Sequence, residues 1–275
     1  MTRLDIAYEE VEDLLENEDL SHQMKQYRGL QIHQIDIFRT NNLIQNDPGR
    51  YVTIEFSSLD DHDVRNDVSD VVCDVLKPML GQYGNKVLVV GLGNQNVTAD
   101  SLGPDTASKV LVSAHLSEEI RAGNPQIAVI APGVMGQTGI ETAKIVRSIC
   151  QSEDFELVIA IDALATKSLS RINHMIQISD TGIHPGSGVK NKRMGLNEKT
   201  LGVKVISIGV ATVMSVEHLI QEKLHEMGCE DRKCNHLEDL DMVVTPKEMD
   251  EVKLHLSEVL ASGINRALNH NFNQL

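Results

Sequence analysis

Two aspartates in this chain each stand where an apolar run gives way to polar sequence, and together they could perform hydrolysis. Asp100 lies in Val97-Thr-Ala-Asp-Ser-Leu-Gly-Pro104, shortly after Lys86-Val-Leu-Val-Val-Gly-Leu-Gly-Asn94. Asp162 closes the run Leu157-Val-Ile-Ala-Ile161. Two neighbouring carboxylates resist ionising together, so one keeps its proton while the other draws one from a water. Gly91 and Gly93 let the backbone turn sharply, which puts N–H groups of the loop ending at Asn94 where they could polarise a reacting carbonyl. An aspartate before a helix is also a common N-cap, and the residues alone leave that alternative open for both.

The elements that must position this pair are legible as patterns. Val87 to Val90 is too short and too uniformly apolar for an amphipathic helix and reads as a buried parallel strand, as do 127–131 and 157–161, the last ending on Asp162. Helical patterns at 104–116 and 138–150 separate these strands, the second opening on Thr138-Gly-Ile-Glu141 as a capping box. Strands alternating with helices give an α/β fold, a mostly parallel sheet flanked by helices with its ligand crevice at the carboxyl ends of the strands. Residues 32–38 and 51–56 alternate as half-buried strands around an Asn46-Asp-Pro-Gly49 turn, and 63–80 reads as a helix. Further strands fall at 175–179 and 203–209. Between them 180–189 is too glycine-rich for regular structure and reads as a functional loop carrying Asp180, His184 and Ser187. Helices at 213–227 and 246–268 close the chain, the second capped by Thr245, and 4–20 suggests a short acidic surface helix.

Composition narrows the function. The chain has 275 residues, 41% of them apolar, and a formal net charge of −15. That charge argues against direct contact with nucleic acid or an anionic membrane. No stretch approaches the roughly 20 apolar residues of a membrane span, and the amino terminus lacks the apolar core of a signal peptide. The expectation is a cytoplasmic protein whose four cysteines are reduced.

Three other motifs invite chemistry. Gly91-Leu-Gly-Asn-Gln-Asn96 follows a strand but lacks the third glycine of a dinucleotide fingerprint, so a glycine turn is the better reading. Asp180-Thr-Gly182 matches the pepsin-like signature, yet only once and inside an α/β pattern; Asp180 could equally bond backbone N–H groups of its own loop. Cys229 and Cys234, with His225 and His236 nearby, are spaced too widely for a usual zinc site, and the charges between them suit a solvated loop. Cys73 and Cys150 sit on apolar helix faces.

Several long segments carry a resemblance. Gly91 to Asn94 with Val97 to Pro104, Pro132-Gly-Val-Met-Gly-Gln-Thr-Gly-Ile-Glu-Thr142, Ala160-Ile-Asp-Ala-Leu-Ala165, Ile176-Gln-Ile-Ser-Asp-Thr-Gly-Ile-His-Pro-Gly-Ser-Gly-Val189 and Val244-Thr-Pro-Lys-Glu248 occur in order, and from about residue 50 onward the chain resembles the germination protease (spore protease) family. It departs from that pattern at Ala99, Ser101, Lys190 and Ala211, and the region 216–241 is shorter than usual.

The resemblance implies an atypical aspartic endopeptidase of the spore core. It would degrade small acid-soluble spore proteins, with Asp100 and Asp162 as catalytic carboxylates. The implied fold is that of the hydrogenase-maturation peptidases. No metal or cofactor would be required, and the assembly would be a homotetramer. Family members are made as precursors and favour an acidic residue followed by an apolar residue and alanine. Asp5-Ile6-Ala7 offers such a site, so residues 1–5 are expected to be a propeptide and 6–275 a single peptidase domain, with a strand and helix lobe at about 30–84. Gly91, Gly93, Asn94, Asp180, His184 and Ser187 are the expected substrate-positioning residues. Two other readings use the same residues: a metal-dependent maturation-type peptidase with the aspartates as ligands, and an inactive peptide-binding relative.

Overall fold

The computed structural model describes residues 5–184, 193–228, 240 and 242–269. It opens on a five-residue helix, α1 (Ala7–Val11), then a hairpin of β1 (Leu20–Tyr27) and β2 (Leu30–Ile37). Next come β3 (Gly49–Glu55), α2 (His62–Leu80), β4 (Lys86–Gly91), α3 (Leu102–Ala107), α4 (Glu118–Arg121), β5 (Gln126–Ile130), α5 (Met135–Thr138) and α6 (Thr142–Glu153). The remainder holds β6 (Leu157–Thr166), β7 (Met175–Ser179), α7 (Glu198–Leu201), β8 (Lys204–Ser215), α8 (Val216–Glu226), β9 (Val243–Val244) and α9 (Met249–Leu268).

The strands form one sheet in the order β1-β2-β3-β7-β8-β6-β4-β5, with β9 paired to β8. β5, β4, β6 and β8 are mutually parallel; β7, β3, β2 and β1 extend them by antiparallel pairing. In direction β1, β3, β4, β5, β6 and β8 run one way and β2, β7 and β9 the other. The parallel centre is buried on both faces, which explains its unbroken apolar sequence. Val87 and Val89 pack with α2 and α9 on one side, Leu88 and Val90 with α6 on the other. Asp61 caps α2 by accepting the Asp63 N–H at 2.8 Å.

Several boundaries differ from the sequence expectation, some for a clear local reason. The strand expected to end on Asp162 runs on to Thr166, because 162–166 continue the parallel pairing with β8. The helix expected from Thr138 starts at Thr142: Gly139, at φ 71°, ends α5 and separates the two. The helix expected over 104–116 stops at Ala107. α9 begins at Met249, because the Thr245 hydroxyl donates to the Thr212 carbonyl instead of capping. Within 4–20 the α-helix covers only Ala7–Val11, with a 3-10 turn at Glu12–Leu14, and the polar strand β1 follows.

Candidate active site

Asp100 ends a 3-10 turn, Thr98–Asp100, between β4 and α3. Its Oδ2 accepts the Asn94 backbone N–H at 2.7 Å. The Asn94 N–H, which could have faced a substrate carbonyl, is thus committed to holding Asp100. Gly93, at φ 110°, lies directly against this aspartate, and a Cβ on Gly91 would meet the Gly103 carbonyl oxygen at 2.3 Å. The glycines here allow a close approach of β4, the Asp100 turn and α3. Thr212 of β8 donates to the Ala99 carbonyl at 3.0 Å, and Lys253 of α9 reaches Ser101 Oγ at 2.8 Å and Asp105 at 2.9 Å. The turn is therefore fixed from two further elements.

Asp162 stands in β6 on the face that carries Val158, Ala160 and Leu164, and it is 5% exposed. Its Oδ1 accepts the N–H of Ala163 at 3.0 Å. Burial pushes its carboxyl well above the ordinary range; the charges of Asp100 and Asp5 add to this, while the Ala163 N–H and Arg193 offset part of it. Asp100 is also raised, chiefly by burial, against the Asn94 N–H and Arg193. Asp162 is buried and Asp100 half-buried, and the charge of Asp100 opposes ionisation of Asp162, an arrangement suited to sharing one proton between two acids.

The crevice beside Asp162 is filled by the chain's own amino-terminal segment. β4 ends at Gly91, opposite Ile161, whereas β6 continues. Past that point the Ala165 N–H donates to Asp5 Oδ2 at 3.0 Å. Ile6 is fully buried and packs in one cluster with Leu164, Ile183 and Leu196. Ala7, also fully buried, packs with Val11, Ile35 and Tyr51.

The other expected residues divide. His184 lines a small cavity with Asp5, Leu164, Gln177 and Gly209, and its Nε2 lies 3.3 Å from Asp47 Oδ2. Asp180 is not brought to the two aspartates. Its Oδ1 accepts the Arg50 N–H at 2.8 Å, and it lines a separate cavity with Glu156 and Lys204, at the amino ends of β6 and β8. Ser187, Cys229, Cys234 and His236 lie outside the described residues. Cys73 and Cys150 are buried thiols, with burial pushing Cys150 up to about 11.

The sequence model of the family described as germination protease matches residues 4–227. The chain belongs to the germination protease family. Relatives named germination protease include one from Clostridium acetobutylicum, 37% identical over 89% of this chain and 86% of that protein. Another, from Clostridium tetani, is 37% identical over 80% of this chain and 78% of that protein. One from Geobacillus reaches 44% over 64% of this chain and 50% of that protein. Among solved structures, a [NiFe] hydrogenase maturation protease, HycI, from Thermococcus kodakarensis aligns with a TM-score of 0.38 at 14% identity, covering 69% of this chain and 98% of that one.

Membership makes this chain a hydrolase, an endopeptidase of spore germination. Among the described residues of this chain, no helix is long and apolar enough to cross a membrane. Two residues at its site escaped the sequence reading. Arg193 acts on both aspartates, and its Nε is buried without a hydrogen-bond partner among the described residues. Gln177, 7% exposed, bonds to the amino-terminal segment. The available signal for Gln177 was a single amide inside the otherwise apolar run Met175-Ile-Gln-Ile.

Proposed function

We propose that this chain is made as a precursor that cuts itself between Asp5 and Ile6, and that the product degrades small acid-soluble spore proteins in the spore core. In the proposed reaction one member of the Asp100–Asp162 pair is ionised and removes a proton from water. The water oxygen bonds to the scissile carbonyl carbon, whose oxygen is polarised by the protonated partner. The carbon–nitrogen bond then breaks, and the leaving amine takes a proton from the pair. The observation that carries this reading is that Asp5, at the expected cleavage site, is held in the crevice beside buried Asp162, its Oδ2 accepting the Ala165 N–H at 3.0 Å and its carbonyl oxygen the Gln177 Nε2–H at 3.0 Å.

An acidic enzyme selects its substrates here by a short local sequence, not by overall charge. In the same proposal His184 shapes the groove wall, and the assembly is the homotetramer that the family resemblance implies, read by light scattering after size-exclusion chromatography. The test is to incubate the purified protein with a small acid-soluble spore protein, with and without exhaustive chelation, and to map the fragments. Cuts after acidic residues that persist under chelation support the reading. Activity lost on chelation would favour the metal-dependent alternative, and no cuts in either sample would favour an inactive relative.

A further inference from the structure

Asp162 and Gln177 both stand opposite Gly209 of β8, one from each side. They project to the same face of the sheet, and Gly209 adds no side chain of its own there, so that the Leu164 side chain packs directly over it. The Gln177 amide makes two bonds to the amino-terminal segment. Its Nε2 donates to the Asp5 carbonyl oxygen at 3.0 Å, and its Oε1 accepts the Ala7 N–H at 2.7 Å. The opposite polarity of these bonds fixes the orientation of the amide. Between them Ile6 is extended, at φ −101° and ψ 111°. A side-chain amide that pairs with the carbonyl of one residue and the N–H of the second residue beyond it holds a peptide as a neighbouring strand would.

We propose that Gln177 is a catalytic residue of this protease, one whose amide grips substrates across the scissile bond as it grips Asp5 to Ala7. Its Nε2–H donates to the scissile carbonyl oxygen and stabilises the negative charge that forms there when water adds. Its Oε1 takes the N–H two residues after the acidic one and sets the register. The Ala165 N–H receives the acidic side chain, and the closed pocket around Ile6 receives the apolar one. This assignment supplies the carbonyl donor that the Asn94 N–H, engaged with Asp100, does not. It rests on the reading of Asp5–Ile6 as the self-cleavage site.

The test follows self-processing of the full-length chain by intact mass, and turnover of a small acid-soluble spore protein by its activated form. Gln177→Met keeps the length and removes both the donor and the acceptor, and Gln177→Leu removes both with a branched apolar side chain. Both should slow self-cleavage about a hundredfold or more, the scale for removing one carbonyl donor. On the spore protein the loss should fall on kcat more than on KM. Thermal melting identifies a variant that has not folded. For that case Ala7→Pro, with Gln177 intact, removes the N–H bound by Oε1 at a first helical position that tolerates proline, and should slow processing at least tenfold. Wild-type kcat in a folded Gln177 variant, or wild-type processing in Ala7→Pro, overturns the proposal. Failure of the underlying reading looks different: wild-type protein would then not be cut after Asp5 at all, while an unchanged kcat on the spore protein would still decide against Gln177.

Discussion

Gly93 and Asp100 meet so closely that a Cβ on residue 93 would lie 1.9 Å from the Asp100 carbonyl oxygen and 3.0 Å from its Oδ1. Gly93 also sits at φ 110°, a conformation L side chains rarely adopt. Gly93→Ala must therefore push the Asp100 turn outward as well as strain its own backbone. A displacement of about 1 Å can cost roughly a hundredfold in rate. The expected result is a loss of cleavage on that scale, with a lowered melting temperature. Full activity in this variant would show that the position of Asp100 does not matter.

Asp100→Asn and Asp162→Asn should each reduce cleavage by roughly a thousandfold or more, because either change removes one member of a proton-sharing unit. The double variant should be no worse than the worse single one. Cleavage rates on a spore protein, with folding verified by circular dichroism, check this. Near-normal turnover in either single variant would end the assignment.

The same Asp162→Asn change should stabilise the protein at neutral pH. The folded pKa of Asp162 lies well above the ordinary value because burial disfavours its charge. Between about pH 4 and that raised pKa the native state holds a proton that the unfolded chain has lost, so stability falls as pH rises. Asparagine carries no such penalty. The melting-temperature difference, variant minus wild type, should be positive at neutral pH and shrink toward acid pH. A difference independent of pH would contradict the burial of an ionisable group there.

Arg193 lowers the pKa of both aspartates against the larger effect of burial. Arg193→Gln should therefore move the pH profile of kcat/KM to higher pH on both limbs, since such profiles report the acid and base of the uncomplexed enzyme. An unshifted profile would place Arg193 outside the field of the pair.

What the sequence disclosed depended on how local each signal was. β4 was legible because a strand buried on both faces must be apolar throughout, and Asp162 stood out because a carboxylate beside such a run needs a reason. β1 was not legible: Ser21 to Tyr27 are polar or exposed, and the strand owes its existence to pairing with β2. Gln177 carried the same kind of signal as Asp162. Its partners, however, are Asp5 and Ala7, 172 and 170 residues away, and no local pattern announces a groove closed by the chain's own beginning. Asp180 was overvalued for the converse reason, since its motif is local but β7 runs antiparallel and carries it toward the amino ends of the central strands.

Beyond the Gln177 and Ala165 bonds, one arginine ties the amino-terminal segment to the sheet. Arg171 lies 3.4 Å from Glu9, 2.7 Å from Glu12 and 3.5 Å from Glu55, with its guanidinium 5.1 Å from the centre of the Tyr8 ring. Glu9 also accepts the Thr166 hydroxyl and, at 2.9 Å, the Lys167 N–H, so its side chain is almost wholly buried. Burial raises the pKa of Glu9 and of Glu55, and Arg171 offsets both. Arg171→Met keeps the stem and removes the cation, leaving a buried carboxylate without its ion partner. Breaking such a pair costs roughly 3 kcal/mol. Without Arg171 the Glu9 carboxyl would rise further, so the cost should be largest at neutral pH and diminish as acid protonates it. Self-cleavage should slow in parallel, because α1 no longer holds Asp5 and Ile6 in the crevice. Urea unfolding at about pH 7 and about pH 5, with intact mass over time, tests both parts. A penalty under about 1 kcal/mol at neutral pH, or one that grows on acidification, would show that Arg171 does not secure this segment.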